Sequence, residues 1–160
     1  MPSVTLDRIG IAIIRELQLN ARISFSELGR RVNLTSPAVA ERVRRLEDAE
    51  VIRGYHAHVS APALGLQVEA IVRIAVAHTV TPERFARIAQ RMPEVVDCYR
   101  VTGVDSFVLR VLTPSLDHLN DFLAKLTSYG QAVASIVLSQ PISRRGIGVT
   151  EHGPEEALAG

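Results

Sequence analysis

Five arginines crowd one short window of this 160-residue chain: Arg30, Arg31, Arg42, Arg44 and Arg45, with Glu41 as the sole acid between positions 30 and 45. A guanidinium stays charged at physiological pH and presents its N–H donors in a fixed fork, which suits phosphate oxygens and guanine edges. So local a basic patch is what an element contacting a polyanion carries, although charge alone also fits a solvated helix face. The net charge of +1 decides nothing; the distribution does. Residues 1–56 hold nine Arg against seven acids, and the remainder holds nine Lys/Arg against ten.

Other reactive side chains are sparse. His56 and His58 lie two apart on an expected strand, hence on one face, but no Cys, Asp or Glu at ligand spacing joins them, and a plain surface pair is the better reading. Cys98, the single cysteine, lies in an expected strand and reads as a buried, inert thiol. Asp97 and Asp105 share only hairpin proximity, which is too little for acid–base catalysis. There is no phosphate-cradling glycine loop and no Gly-x-Ser-x-Gly elbow. The chain therefore reads as a non-enzyme, without catalytic residues, metal or cofactor.

The elements that would position the arginines are three helices. Leu6, Ile9, Ile13, Ile14 and Leu17 recur at helical spacing, with Thr5 expected as the cap and Asp7 in the first turn. Ser24-Phe25-Ser26-Glu27 has capping-box spacing and opens a short helix that stops at Asn33, a residue tolerant of positive φ. Thr35 caps a third helix with Pro37 near its start and Val39, Val43 and Leu46 on its buried stripe. Two helices about four residues apart, the second one basic, have helix-turn-helix geometry. The expected DNA face is Thr35, Ser36, Pro37, Ala38, Ala40, Glu41, Arg42, Arg44 and Arg45: small residues permit close approach, and long arginines reach phosphates or bases.

After Ile52 the period changes. Arg53–Ser60 looks extended, and Ala61-Pro62-Ala63-Leu64-Gly65 reads as a linker. Val68, Ala70, Val72, Ile74 and Val76 alternate as in a half-buried strand. A helix from Thr81-Pro82-Glu83, strands at 95–101 and 107–112, a helix from Ser115 ending at Gly130 and a strand at 133–138 complete a β-α-β-β-α-β order, the ferredoxin-like arrangement. The fold class is thus α+β. The expected divisions are a helix-turn-helix domain at 1–58, a linker at 59–66, a ferredoxin-like module at 67–143 and a loose tail at 144–160. Apolar residues on the sheet's second face point to oligomerisation. No apolar run approaches the roughly 18–20 residues of a membrane span. Met1–Asp7 does not read as an export signal, and one cysteine fits a reducing cytoplasm.

The set Leu6-Asp7, Ile14, Leu17-Gln18, Ala21-Arg22, Glu27-Leu28, Leu34-Thr35, Val39, Arg42-Val43, Leu46-Glu47, Val51-Ile52, Gly54-Tyr55 and Leu64-Gly65 resembles the leucine-responsive/asparagine-responsive (Lrp/AsnC, feast/famine) regulators. The likeness continues in Tyr99-Arg100-Val101-Thr102-Gly103 and Tyr129-Gly130-Gln131. It implies a winged-type helix-turn-helix that binds double-stranded DNA and regulates transcription. It also implies homodimers that build tetramers or octamers, and an amino-acid effector held between dimers. Carried over residue by residue, the effector site falls on Thr102, Gly103, Val104, Asp105 and Ser106, with Ser135 on the last strand. The exposed backbone groups at the hairpin end suit the charged ends of an α-amino acid, and Val104, Val137 and Leu138 are expected to wall its side chain.

Three positions depart from the family pattern: Gly10 where Asp is usual, Glu50 where Gly is usual, and Ser106 where Asp is usual, with Asp105 one residue earlier. Along extended chain a one-residue offset reverses the side chain's direction. Two readings follow: a regulator modulated by an amino acid, or a ligand-independent architectural DNA-binding protein assembled through the same module.

Overall fold

The computed structural model describes residues 6–143 and 145–148. They fall into two compact units, one built from the N-terminal region together with the stretch after Ile142, the other spanning Val59–Pro141.

In the first unit α1 (Arg8–Leu19), α2 (Phe25–Val32) and α3 (Ser36–Asp48) enclose a core of Ile13, Leu17, Leu28, Val39, Val43 and Leu46. The expected stripe of α3 is buried as read. The N-cap of α1 is Asp7, whose Oδ1 accepts the Gly10 amide at 2.7 Å; Thr5, expected in that role, lies outside the described residues. Either residue type can cap, and the helix begins where the carboxylate reaches the third amide. Ser24 caps α2 through Glu27 N–H, and Thr35 stands at the N-cap of α3 without a side-chain hydrogen bond.

The turn between α2 and α3 depends on two backbone positions. Asn33 adopts φ 55°, ψ 45°, and Leu34 N–H returns to the Gly29 carbonyl at 2.9 Å. A Cβ on Gly29 would lie only 2.4 Å from the Leu34 carbonyl oxygen, so no larger residue fits this crossing. At the other end of α3 the chain closes with Glu50 N–H to Glu47 O and Val51 N–H to Leu46 O, both 2.9 Å, around a left-handed Glu50 at φ 54°. This is the Schellman pattern, with glutamate at the position that glycine fills best. Residues 53–60 follow without strand pairing, so His56 and His58 are exposed residues of an unpaired stretch, not neighbours on a strand face.

The stretch from Ile142 counts with this unit where it is described, although the sequence reading puts residues up to 143 in the ferredoxin-like module and 144–160 in a loose tail. The Gln18 side-chain amide pairs with both backbone groups of Ile147: Ile147 N–H donates to Gln18 Oε1 at 2.6 Å, and Gln18 Nε2 donates to Ile147 O at 3.1 Å. Gly146 permits the approach, since a Cβ there would stand 3.0 Å from Gln18 Oε1.

The second unit opens with a 3₁₀ turn at Pro62–Leu64 closed by a left-handed Gly65. Then come β1 (Val68–Val76), α4 (Pro82–Ala89), β2 (Val95–Arg100), β3 (Phe107–Thr113), α5 (Leu116–Leu126) and β4 (Gly130–Ile136). The sheet order is β2-β3-β1-β4 with every pair antiparallel, the ferredoxin-like arrangement. One sheet face packs Ala70, Val72, Ile74, Leu109 and Val111 against Phe85 and Phe122 of the helices. Phe85 and Phe107 meet at a centroid distance of 4.9 Å, within the favourable range for tilted rings. The sequence places the end of α5 at Gly130, but the helix stops at Leu126 and Gly130 is the first residue of β4, pressed against Ala75 O.

Candidate nucleic-acid interface and effector hairpin

The register sorts the second sheet face into rows. Tyr99, Val108, Arg73 and Val133 form one row; Asp97, Arg110, Ile71 and Ser135 form the next. At its centre Arg110 donates Nε to Glu69 Oε1 at 2.7 Å and Nη1 to Asp97 Oδ2 at 3.1 Å, and these bonds raise its already high pKa. The flanks are apolar and open: Tyr99 and Val133 are 58% and 51% exposed.

On the helix-turn-helix, Thr35, Ser36, Pro37, Arg44 and Arg45 are exposed, while Ala38, Ala40, Glu41 and Arg42 are half-buried. The five arginines are better compensated than their sequence window implies. Arg30 pairs with Glu27 and Arg31 with Glu16 and Glu27. Arg42 pairs with Asp7 at 2.7 Å, and Arg44 and Arg45 share Glu41. Glu41 is held below the usual carboxylate range by the Arg45 and then the Arg44 hydrogen bond. Asp7 and Glu16 escape sequence reading because they reach across from α1; the Glu27 and Glu41 pairs are legible as i, i+3 and i, i+4 spacings. These are exposed ion pairs of small individual strength, and a phosphate can displace their carboxylates.

Beyond the arginines, Tyr55 donates its hydroxyl to Glu47 Oε1 at 2.9 Å, tying the stretch after α3 to that helix. Burial, and then the Glu47 bond, push its phenol up to about 12.

The β2–β3 hairpin brings Thr102, Gly103, Val104, Asp105 and Ser106 together at one end of the sheet. Gly103 takes φ 113°, and Val104 is 93% exposed. Ser106 is committed to the neighbouring strand: its N–H donates to Ile74 O at 2.8 Å and its hydroxyl accepts from Val76 N–H at 3.1 Å. Ser135 is not brought to this hairpin. It sits opposite Ile71, three to five residues down β1, or roughly 10–16 Å away at strand rise. Val137, whose N–H meets Glu69 O, lies at the far end as well, so no apolar wall of Val104, Val137 and Leu138 forms within one subunit.

Cys98 also departs from expectation: its edge strand leaves it exposed, although partial burial beneath α4 raises its thiol pKa, which keeps thiolate scarce. Glu94 is nearly enclosed where β2 begins and accepts from His118 Nε2 at 3.0 Å, with Lys125 Nζ at 3.8 Å. Burial is the largest influence on Glu94 and pushes its pKa up; its own backbone N–H, His118 and Lys125 together outweigh it and leave the carboxyl lowered. No helix among the described residues is long and apolar enough to cross a membrane.

A helix-turn-helix whose second helix exposes Arg44 and Arg45, on one chain with a four-stranded α/β module, is the architecture of a DNA-binding transcriptional regulator. Residues 6–47 match the AsnC-type helix-turn-helix domain, and residues 69–147 match the Lrp/AsnC ligand binding domain. The chain belongs to the Lrp/AsnC family. It is 37% identical over 143 residues to the HTH-type transcriptional regulator LrpC of Bacillus subtilis, covering 89% of this chain and 99% of that protein. The solved LrpC structure matches with a TM-score of 0.82. A transcriptional regulator of Neisseria meningitidis in complex with L-methionine matches with a TM-score of 0.83 at 28% identity, covering 90% of this chain and 97% of that one. The feast or famine regulatory protein of Mycobacterium tuberculosis, complexed with L-methionine, gives 0.82 at 34% identity, covering 88% and 97%.

Proposed function

We propose that the protein binds double-stranded DNA through α3, in the cytoplasm, and that an apolar α-amino acid seated at the β2–β3 hairpin of assembled subunits modulates this binding. The observation that carries the reading is the exposed arginine row of α3 on a chain whose structural neighbours hold L-methionine. No further cofactor and no chemical step enters it. Assembly uses the open sheet face: its apolar flanks around Arg110 meet the same strip on a second copy across a two-fold axis, which favours homodimers and even-numbered assemblies such as tetramers and octamers. Asp105 pairs with the ligand ammonium, while Thr102 and the backbone of Gly103 and Val104 meet its carboxylate. Ser135 joins only from another subunit.

Calorimetry with L-methionine, L-leucine, L-phenylalanine and L-aspartate on the full chain tests this. Gly103 is a poor probe, because its positive φ makes any substitution reshape the loop. Asp105→Asn is the better variant. An apolar amino acid binding wild type, with affinity reduced about tenfold or more in Asp105→Asn, is the expected result. No heat with any of the four at millimolar concentration overturns the effector half.

The second reading, an architectural DNA-binding protein without ligand, draws on one observation: the Ser106 hydroxyl already serves Val76 N–H, so the hairpin of a single subunit presents few convergent polar groups.

A further inference from the structure

Glu41 lies in the middle of the α3 face that carries the arginines, which is an odd place for an anion beside a phosphate backbone. Its two oxygens are divided between two partners. Oε2 accepts from Arg44 Nη2 at 2.5 Å, and Oε1 accepts from Arg45 Nε at 3.0 Å. The partners stand three and four residues later, one turn along the same face. Both guanidiniums are therefore drawn back toward Glu41, in the direction of the N-terminus of α3. Arg45 is gripped through Nε, and among the described residues its two terminal nitrogens carry no other bond. That pair of donors is the edge with which arginine reads guanine O6 and N7.

The same carboxylate acts against unselective binding. An arginine that swings out to a phosphate must leave Glu41, and the abandoned anion then faces the polyanion. An arginine that reads a base from its held position keeps its carboxylate partner. We propose that Glu41 is a positioning residue that sets DNA specificity: it holds Arg45 by Nε with its terminal nitrogens presented to base edges, keeps Arg44 beside it, and penalises binding through phosphates alone. The inference rests on the reading that α3 faces DNA.

The test uses the full-length protein and two duplexes: one recovered by the wild type from a random-sequence pool, and a scramble of equal composition. Fluorescence anisotropy titrations across a salt series compare wild type, Glu41→Gln, Glu41→Asp and the double variant Arg44→Ala/Arg45→Ala. Glu41→Gln is expected to bind the scramble about three- to tenfold more tightly, with a salt slope steeper by about one, and to lose tenfold or more of the affinity ratio between the duplexes. Glu41→Asp, whose shorter side chain spans one arginine but not both, is expected to fall between. Thermal melts of the glutamate variants should stay close to wild type, since its ion pairs with the exposed Arg44 and Arg45 contribute little individually. If the double arginine variant binds both duplexes like wild type, α3 is not the DNA face and the proposal falls with that reading. If it binds weakly while Glu41→Gln keeps the wild-type ratio or raises it, α3 stands and the proposal alone is overturned.

Discussion

The carboxylate of Asp7 at the head of α1 accepts a 2.7 Å hydrogen bond from Arg42 in the middle of α3. Its other oxygen caps α1 through Gly10 N–H, so one side chain fixes a helix start and links two helices. Asp7→Ala is expected to cost about 1 kcal/mol of stability in urea melts at neutral pH, most of it from the cap. The Gly10 bond first, and Arg42 second, hold the carboxyl below its ordinary value of 3.8. A depressed folded-state pKa gives stability that is present above the ordinary value and lost as pH falls through the folded one. The difference between wild type and Asp7→Ala should therefore shrink below pH 3.8. A difference constant with pH would show that the charge is irrelevant.

Glu50 stands in the left-handed region at the end of α3, where glycine carries no Cβ penalty. Glu50→Gly is expected to stabilise the protein by about 0.5–1 kcal/mol, the relief of strain exceeding the added freedom of the unfolded chain. A rise of a few degrees in melting temperature checks it.

Gly29→Ala is expected to act in the opposite direction. The added methyl meets the Leu34 carbonyl oxygen, a backbone atom that cannot rotate away. Moving it should cost about 1–3 kcal/mol and displace α3 relative to α2. Urea melts and DNA titrations should therefore both worsen; an unchanged affinity would mean that the turn tolerates the shift.

Arg110 bridges Glu69 and Asp97 at the centre of the open sheet face. If that face closes on a second copy, Arg110→Ala leaves two carboxylates enclosed without a cation. The dimer should then weaken by about 3 kcal/mol or more, roughly a hundredfold or more in dissociation constant. Restoring neutrality with Glu69→Gln and Asp97→Asn should recover most of it. Sedimentation equilibrium that finds Arg110→Ala as tightly associated as wild type places the interface elsewhere.

Periodicity carries most of the fold: the buried stripes of α1 and α3 and the alternation of β1 stand in the structure as read. The failures have local causes. Thr5 and Asp7 are both capping types two positions apart, and residue type alone does not choose between them. β4 begins in Gly130-Gln131-Ala132, where two small residues hide its alternation, so the pattern puts its start three residues late and runs α5 too far. The hairpin residues follow one another in sequence and stay together in space. Ser135 depends on strand register, which no local pattern records. Asp7 and Glu16 reach their arginines across helices, and charge counted within a window cannot register such pairs.

The pairing of Gln18 with Ile147 joins positions 129 apart in sequence. The segment 59–141 is consequently an insert spliced into a unit assembled from both sides of it. A single protease cut between 59 and 66 would leave residues 1–58 attached to the remainder by non-covalent bonds only, the Gln18 amide among them. A fragment ending at His58 lacks the Ile147 backbone that pairs with Gln18 and returns that amide to water. It is an unfinished edition of the unit that carries the helix-turn-helix.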